Sequence, residues 1–137
     1  MIEQSLNSIK AMAQTSTCLC LDLQKIGLFP INPIEGKPEV SLILRPYSKT
    51  YYGRFYSKDN KIVLYYYKCK TGNTPHTPYR YSKLLLTAIH EAIHAKQRND
   101  PNFVRHRGIM HDSEFYRLYN EYVKRAKELN LIYKEDS

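Results

Sequence analysis

Cysteine is scarce in this chain: three among 137 residues, at Cys18, Cys20 and Cys69. An odd count with no secretory leader argues against a disulfide framework. Cys18-x-Cys20 is tighter than a C-x-x-C zinc knuckle, and no second pair exists. The thiols therefore read as reduced and buried. Long apolar runs are missing too. No stretch approaches the roughly 18 apolar residues of a membrane span. The opening MIEQSLNSIKAMAQTS carries Glu3 and no continuous apolar core, which makes it a poor secretory signal. These absences predict no membrane partner and a cytoplasmic location, with association to a nucleoid or nucleus as the variant. Repeats, low-complexity tracts and linkers are also absent, so a single domain over 1–137 is expected.

What is present suits a globular domain. The 42% hydrophobic and 25% charged fractions are ordinary. A chain of this length buries about two-thirds of its unfolded surface, enough to fold without staples. The net charge of +8 is unevenly spread. Residues 45–110 hold thirteen Lys and Arg against three Asp and Glu, while the flanking segments are each slightly acidic. Such a field favours polyanionic partners, DNA first, through the basic region 45–110. The plainer reading is a solvated surface that keeps the protein soluble.

The apolar spacing of Ile2, Leu6, Ile9, Ala13, Cys20 and Leu23 predicts a first helix that stops near Gly27. Pro30, Pro33, Gly36 and Pro38 mark an irregular connection. Strands are predicted over 40–45, 51–56 and 62–67, the last two joined as a hairpin through 58–61. Residues 71–78 read as a loop. A helix starting between Tyr79 and Ser82 and running through Lys96 is apolar over most of its circumference, so it should be the buried core helix. Residues 98–110 read as irregular. A clean amphipathic stripe then predicts a last helix over about 112–130, capped by Asp112 or Ser113.

The core helix contains His90-Glu-Ala-Ile-His94, an H-E-x-x-H motif. Residues four apart share one helical face, so two imidazoles can hold one zinc ion at roughly 2.0–2.1 Å. Glu91 projects about 100° round from His90. There it can take a proton from a water and later deliver it to a leaving amine. Two histidines and a glutamate on a buried helix are costly unless they are used. Otherwise they would be satisfied core side chains.

A catalytic zinc site needs a third protein ligand and an open position. Gln97 and Asp100 stand where the extended metzincin pattern needs Gly and His, so that class is excluded. The downstream candidates are His106, His111 and Glu114. Imidazole is the commoner partner beside two histidines, which favours His111. Arg105, Arg107, Tyr116 and Tyr119 are open candidates for stabilising an oxyanion.

Three segments occur in order: Gly53-Arg-Phe-Tyr56 with Ile62-Val-Leu64, then Leu85-Leu-Thr-Ala-Ile-His90-Glu-Ala-Ile-His94-Ala95, then His111-Asp-Ser-Glu-Phe115. From Tyr51 to about Tyr122 the chain resembles the SprT-like zinc metallopeptidases, which include the Spartan proteases of DNA–protein crosslink repair. The resemblance implies zinc on His90, His94 and His111, with Glu91 as the base. Asp112 replaces the glycine that follows the third histidine in that family.

The expected fold is therefore α+β: a minimal zincin-like domain with an N-terminal helix, a mostly antiparallel sheet of about three strands, the H-E-x-x-H helix and a C-terminal helix. The expected function is a zinc-dependent metalloendopeptidase acting on protein or peptide substrates, DNA-associated proteins among them. The competing expectation is a basic nucleic-acid-binding module with a structural or inactive zinc site.

Overall fold

The computed structural model describes residues 6–28, 40–68, 77–100 and 111–132. Its first helix, α1, spans Leu6–Lys25 and buries Met12, Leu19 and Leu23. The stop expected at Gly27 is a closed C-terminal turn. Gly27 adopts φ +78°, which a Cβ would oppose. Its N–H donates to Gln24 O at 2.9 Å, and Leu28 N–H donates to Leu23 O at 2.9 Å. Two otherwise orphaned helix carbonyls are thereby satisfied, and the chain turns back with Leu28 buried.

Three strands form one sheet in the order β1-β3-β2, with β1 at Ser41–Arg45, β2 at Gly53–Tyr56 and β3 at Lys61–Tyr65. The hairpin of β2 and β3 is antiparallel, with Arg54 opposite Val63. Asn60 closes its turn at φ 51°, a conformation asparagine tolerates. The expectation of a mostly antiparallel sheet needs correcting, because β1 runs parallel to β3 from Ser41 opposite Lys61 to Arg45 opposite Tyr65. After Pro46 the chain passes to the far side of β3 before building β2, so the returning strand points the same way as β1. β3 also ends at Tyr65, earlier than expected, although Tyr66 and Tyr67 still donate to Arg45 O and Pro46 O.

The second helix, α2, spans Tyr81–Asn99 and runs past the expected end at Lys96. Asn99 explains the extension. Its Nδ2 donates to Ala95 O at 2.7 Å and to Asn60 Oδ1 at 2.9 Å, which satisfies a last-turn carbonyl and ties the helix to the hairpin turn. Leu84, Leu85, Ala88, Ile89, Ala92 and Ile93 are buried, as expected of the core helix. α1 and α2 pack on one face of the sheet, against Leu42, Ile62 and Leu64. The result is a two-layer α+β arrangement.

The last helix, α3, spans Ser113–Glu128 and packs against α2. Asp112 is its cap: its Oδ1 accepts from Phe115 N–H at 2.9 Å. Arg125 Nη1 donates to Ile26 O at 3.0 Å, joining the ends of α3 and α1.

One glycine sets how closely the sheet meets the core helix. A Cβ on Gly53 would lie 2.6 Å from Leu64 Cδ2 and 2.8 Å from Thr87 Cγ2. A larger residue there would have to displace the Leu64 and Thr87 side chains or part β2 from α2.

Candidate metal centre

His90 and His94 lie one turn apart on α2, and His111 precedes the cap of α3. Packing of α3 on α2 brings the three rings together. His111 Nε2 lies 3.0 Å from His94 Nε2 and 3.2 Å from His90 Nε2. Phe115, fully buried, forms the floor, with its ring centroid 4.7 Å from that of His94 and 4.9 Å from those of His90 and His111.

Three histidines therefore lie close enough to bind one metal ion. Hydrogen bonding alone accounts poorly for them. In the neutral ring Nε2 either donates or accepts, so His111 Nε2 cannot do both toward its two neighbours. A tetrahedral ion with bonds of 2.0–2.1 Å separates its ligand nitrogens by about 3.3 Å, close to both observed spacings. Burial, with the charge of His111 added, pushes His90 down to about 4, leaving its ring neutral with a lone pair available near neutral pH.

Of the other proposed ligands, Glu114 is not part of this group. Glu114 is exposed and its oxygens accept from Arg117 at 2.6 and 2.9 Å. That neighbour holds its carboxyl below the usual range. His106 lies outside the described residues.

Glu91 sits beside the histidines, with Oε2 3.8 Å from His90 Nε2. Burial pushes its carboxyl up to about 7, opposed only in part by the Phe55 backbone N–H, which donates to it, and by the charge of Arg54. The bond from Phe55 places Glu91 at the edge of β2 that no described strand pairs. Tyr65 N–H donates to Tyr52 O, so 52/65, 54/63 and 56/61 are the hydrogen-bonded pairs. Gly53 and Phe55 consequently direct their backbone groups away from the sheet.

A cleft of about 350 Å³ runs along that edge. Thr50, Tyr51, Tyr52 and Gly53 form one wall, with Lys83, Leu86, Thr87, His90 and Glu91 on the other and Tyr119 at the histidine end. Tyr119 is thus the oxyanion candidate that reaches the cleft. Tyr116 is about half exposed and lies outside it, and Arg105 and Arg107 fall outside the described residues. Sequence reasoning missed Lys83, Tyr52 and the Phe55 N–H. Lys83 could have been found, since it lies on the Thr87–Glu91 side of α2 at helical spacing. Comparison with family models, with curated proteins and with solved structures found no match.

Proposed function

We propose that this protein is a zinc-dependent metalloendopeptidase with a zincin-like, SprT-like core. The convergence of three imidazole nitrogens beside a buried carboxylate, all facing an open strand edge, carries that reading. Three imidazole nitrogens and a side open to a cleft match the donor set of catalytic zinc. A purely structural metal has no use for the carboxylate of Glu91, and structural sites close all four positions with protein ligands.

The site chemistry follows from the residues. His90, His94 and His111 would hold the zinc ion, which when bound would supply Lewis-acid chemistry toward the scissile carbonyl and the attacking water. Glu91, raised to about 7, suits both halves of a proton transfer. It accepts the proton of the attacking water and delivers it to the leaving amine. Tyr119, whose hydroxyl burial keeps protonated, donates a hydrogen bond to the developing oxyanion. An extended peptide adds to β2 as a further strand, bonding the outward backbone groups of Gly53. Glu91 occupies the Phe55 N–H, so the scissile bond lies near Phe55 and the rest of the peptide follows the cleft toward Thr50.

The test is hydrolysis of an unfolded protein by zinc-loaded wild type and by Glu91→Gln, with zinc content measured in both. The reading expects equal zinc and at least a hundredfold less hydrolysis in the variant. Full hydrolysis by the variant refutes it.

A further inference from the structure

The cleft beside β2 carries opposite charges at its two ends. Among the described residues that line it, Glu91 at the histidine end is the one carboxyl and Lys83 the one ammonium. Lys83, Thr87 and Glu91 recur at four-residue spacing, so they share one side of α2. Lys83 and Glu91 therefore stand about 12 Å apart along the helix, at a rise of about 1.5 Å per residue. Between them the walls are uncharged, formed by Gly53, Leu86 and Thr87. An aromatic ring fixes Lys83 at its end. Its Nζ lies 4.1 Å from the Tyr52 ring centroid, a contact that limits the swing of the flexible four-carbon stem. The Tyr79 ring meets Tyr52 edge-on, with centroids 5.7 Å apart. No ion pair to Lys83 is found among the described residues, and the first turn of α2 holds no acidic residue.

The inference drawn from this charge rests on the peptidase reading, in which an extended peptide lies along β2 with its scissile bond near Phe55. At about 3.3 Å per extended residue, the 12 Å between Glu91 and Lys83 corresponds to roughly three or four peptide residues. β2 gives the same measure, since Tyr52 stands three positions before Phe55. We infer that Lys83, held against Tyr52, selects substrates carrying an aspartate or glutamate three or four residues from the scissile bond, on the side toward Thr50. An acidic side chain at that distance meets the ammonium. One beside the scissile bond meets the Glu91 carboxyl instead, and one midway meets the uncharged walls. The preference is therefore confined to one short stretch on one side of the cleaved bond. Lys83 stands two helical turns from the histidines, so it sets which peptides dwell in the cleft and takes no part in the proton transfers.

The experiment is mass-spectrometric mapping of the bonds that the zinc-loaded full chain cleaves in a mixture of unfolded proteins, at low and at high salt. Wild type should enrich Asp and Glu about threefold at the third or fourth residue on one side of the cleaved bond, the size expected of a solvent-exposed ion pair. High salt should erase the enrichment, because it screens exposed charges. Lys83→Glu should reverse it, enriching Lys and Arg at the same distance. A glutamate suits the first turn of a helix, so this variant keeps α2 intact. Lys124→Gln, at an exposed position of α3, should cleave with the wild-type profile. Cleavage that depends on Glu91 but shows no acidic enrichment at that distance overturns the inference and leaves the peptidase reading standing. So does an acidic enrichment that survives in Lys83→Glu. Cleavage that is absent, or undiminished in Glu91→Gln, overturns both.

Discussion

Glu91→Gln also exposes the electrostatic cost of the site in the absence of any metal. Burial raises the carboxyl from 4.5 to about 7 in the folded chain. Between those two values the folded protein holds a proton that the unfolded chain has released, so stability falls as pH rises through that window. At 1.36 kcal/mol per pKa unit the loss totals about 3 kcal/mol. The side chain is 12% exposed, so solvent screens little of it. Glutamine keeps an oxygen for the Phe55 N–H and carries no charge, so the variant lacks this loss. Urea denaturation of both metal-free proteins at pH 5 and pH 8 measures it. The two proteins should agree within about 1 kcal/mol at pH 5, and at pH 8 the variant should be more stable by about 3 kcal/mol. A difference that stays constant with pH, or a wild type more stable at pH 8, refutes the reasoning.

Three further outcomes follow from the geometry. His111→Ala should weaken zinc binding by at least a hundredfold in a competition titration, whereas Glu114→Ala should leave it unchanged, since Glu114 pairs with Arg117 instead. Gly53→Ala should destabilise the chain by about 1–3 kcal/mol in chemical denaturation, because its methyl group collides with Leu64 and Thr87. Asp112→Ala should cost about 1 kcal/mol through the lost α3 cap and should also weaken zinc binding, because the cap adjoins His111; Asp112→Asn should retain both properties in the same assays.

The sequence announced the parts that repeat with a period. α2 and α3 show their buried faces in apolar spacing, and Gly27 marks the end of α1 by the conformation it alone adopts cheaply. His90, Glu91 and His94 were legible because one helical turn imposes their separation. His111 was less so. Its approach to His90 depends on how α3 lies against α2, which no local rule states; the preference for a third imidazole favoured it over Glu114, and the family resemblance implied it too. The parallel pairing of β1 was hidden for a similar reason. Side-chain alternation reads the same in both strand directions, so a five-residue strand such as Ser41–Arg45 does not declare its partner's orientation. The longer α2 rests on Asn99, a poor helix former whose side chain finds the Ala95 carbonyl and the Asn60 amide only once the hairpin is in place.

On the proposed reading, a cleft bounded by a strand edge that no described strand pairs would select by conformation as well as by side chain. Only a segment able to straighten over several residues can bond the outward backbone groups of Gly53, since Glu91 already holds the Phe55 N–H. A helix or a strand already paired in its own sheet offers nothing to that edge. The selectivity of such a protein would then track how often its target locally unfolds, and a tightly folded neighbour would be spared even when its sequence is suitable. β2 itself is four residues long, with an exposed arginine at its centre, which limits edge-to-edge joining between copies of this chain.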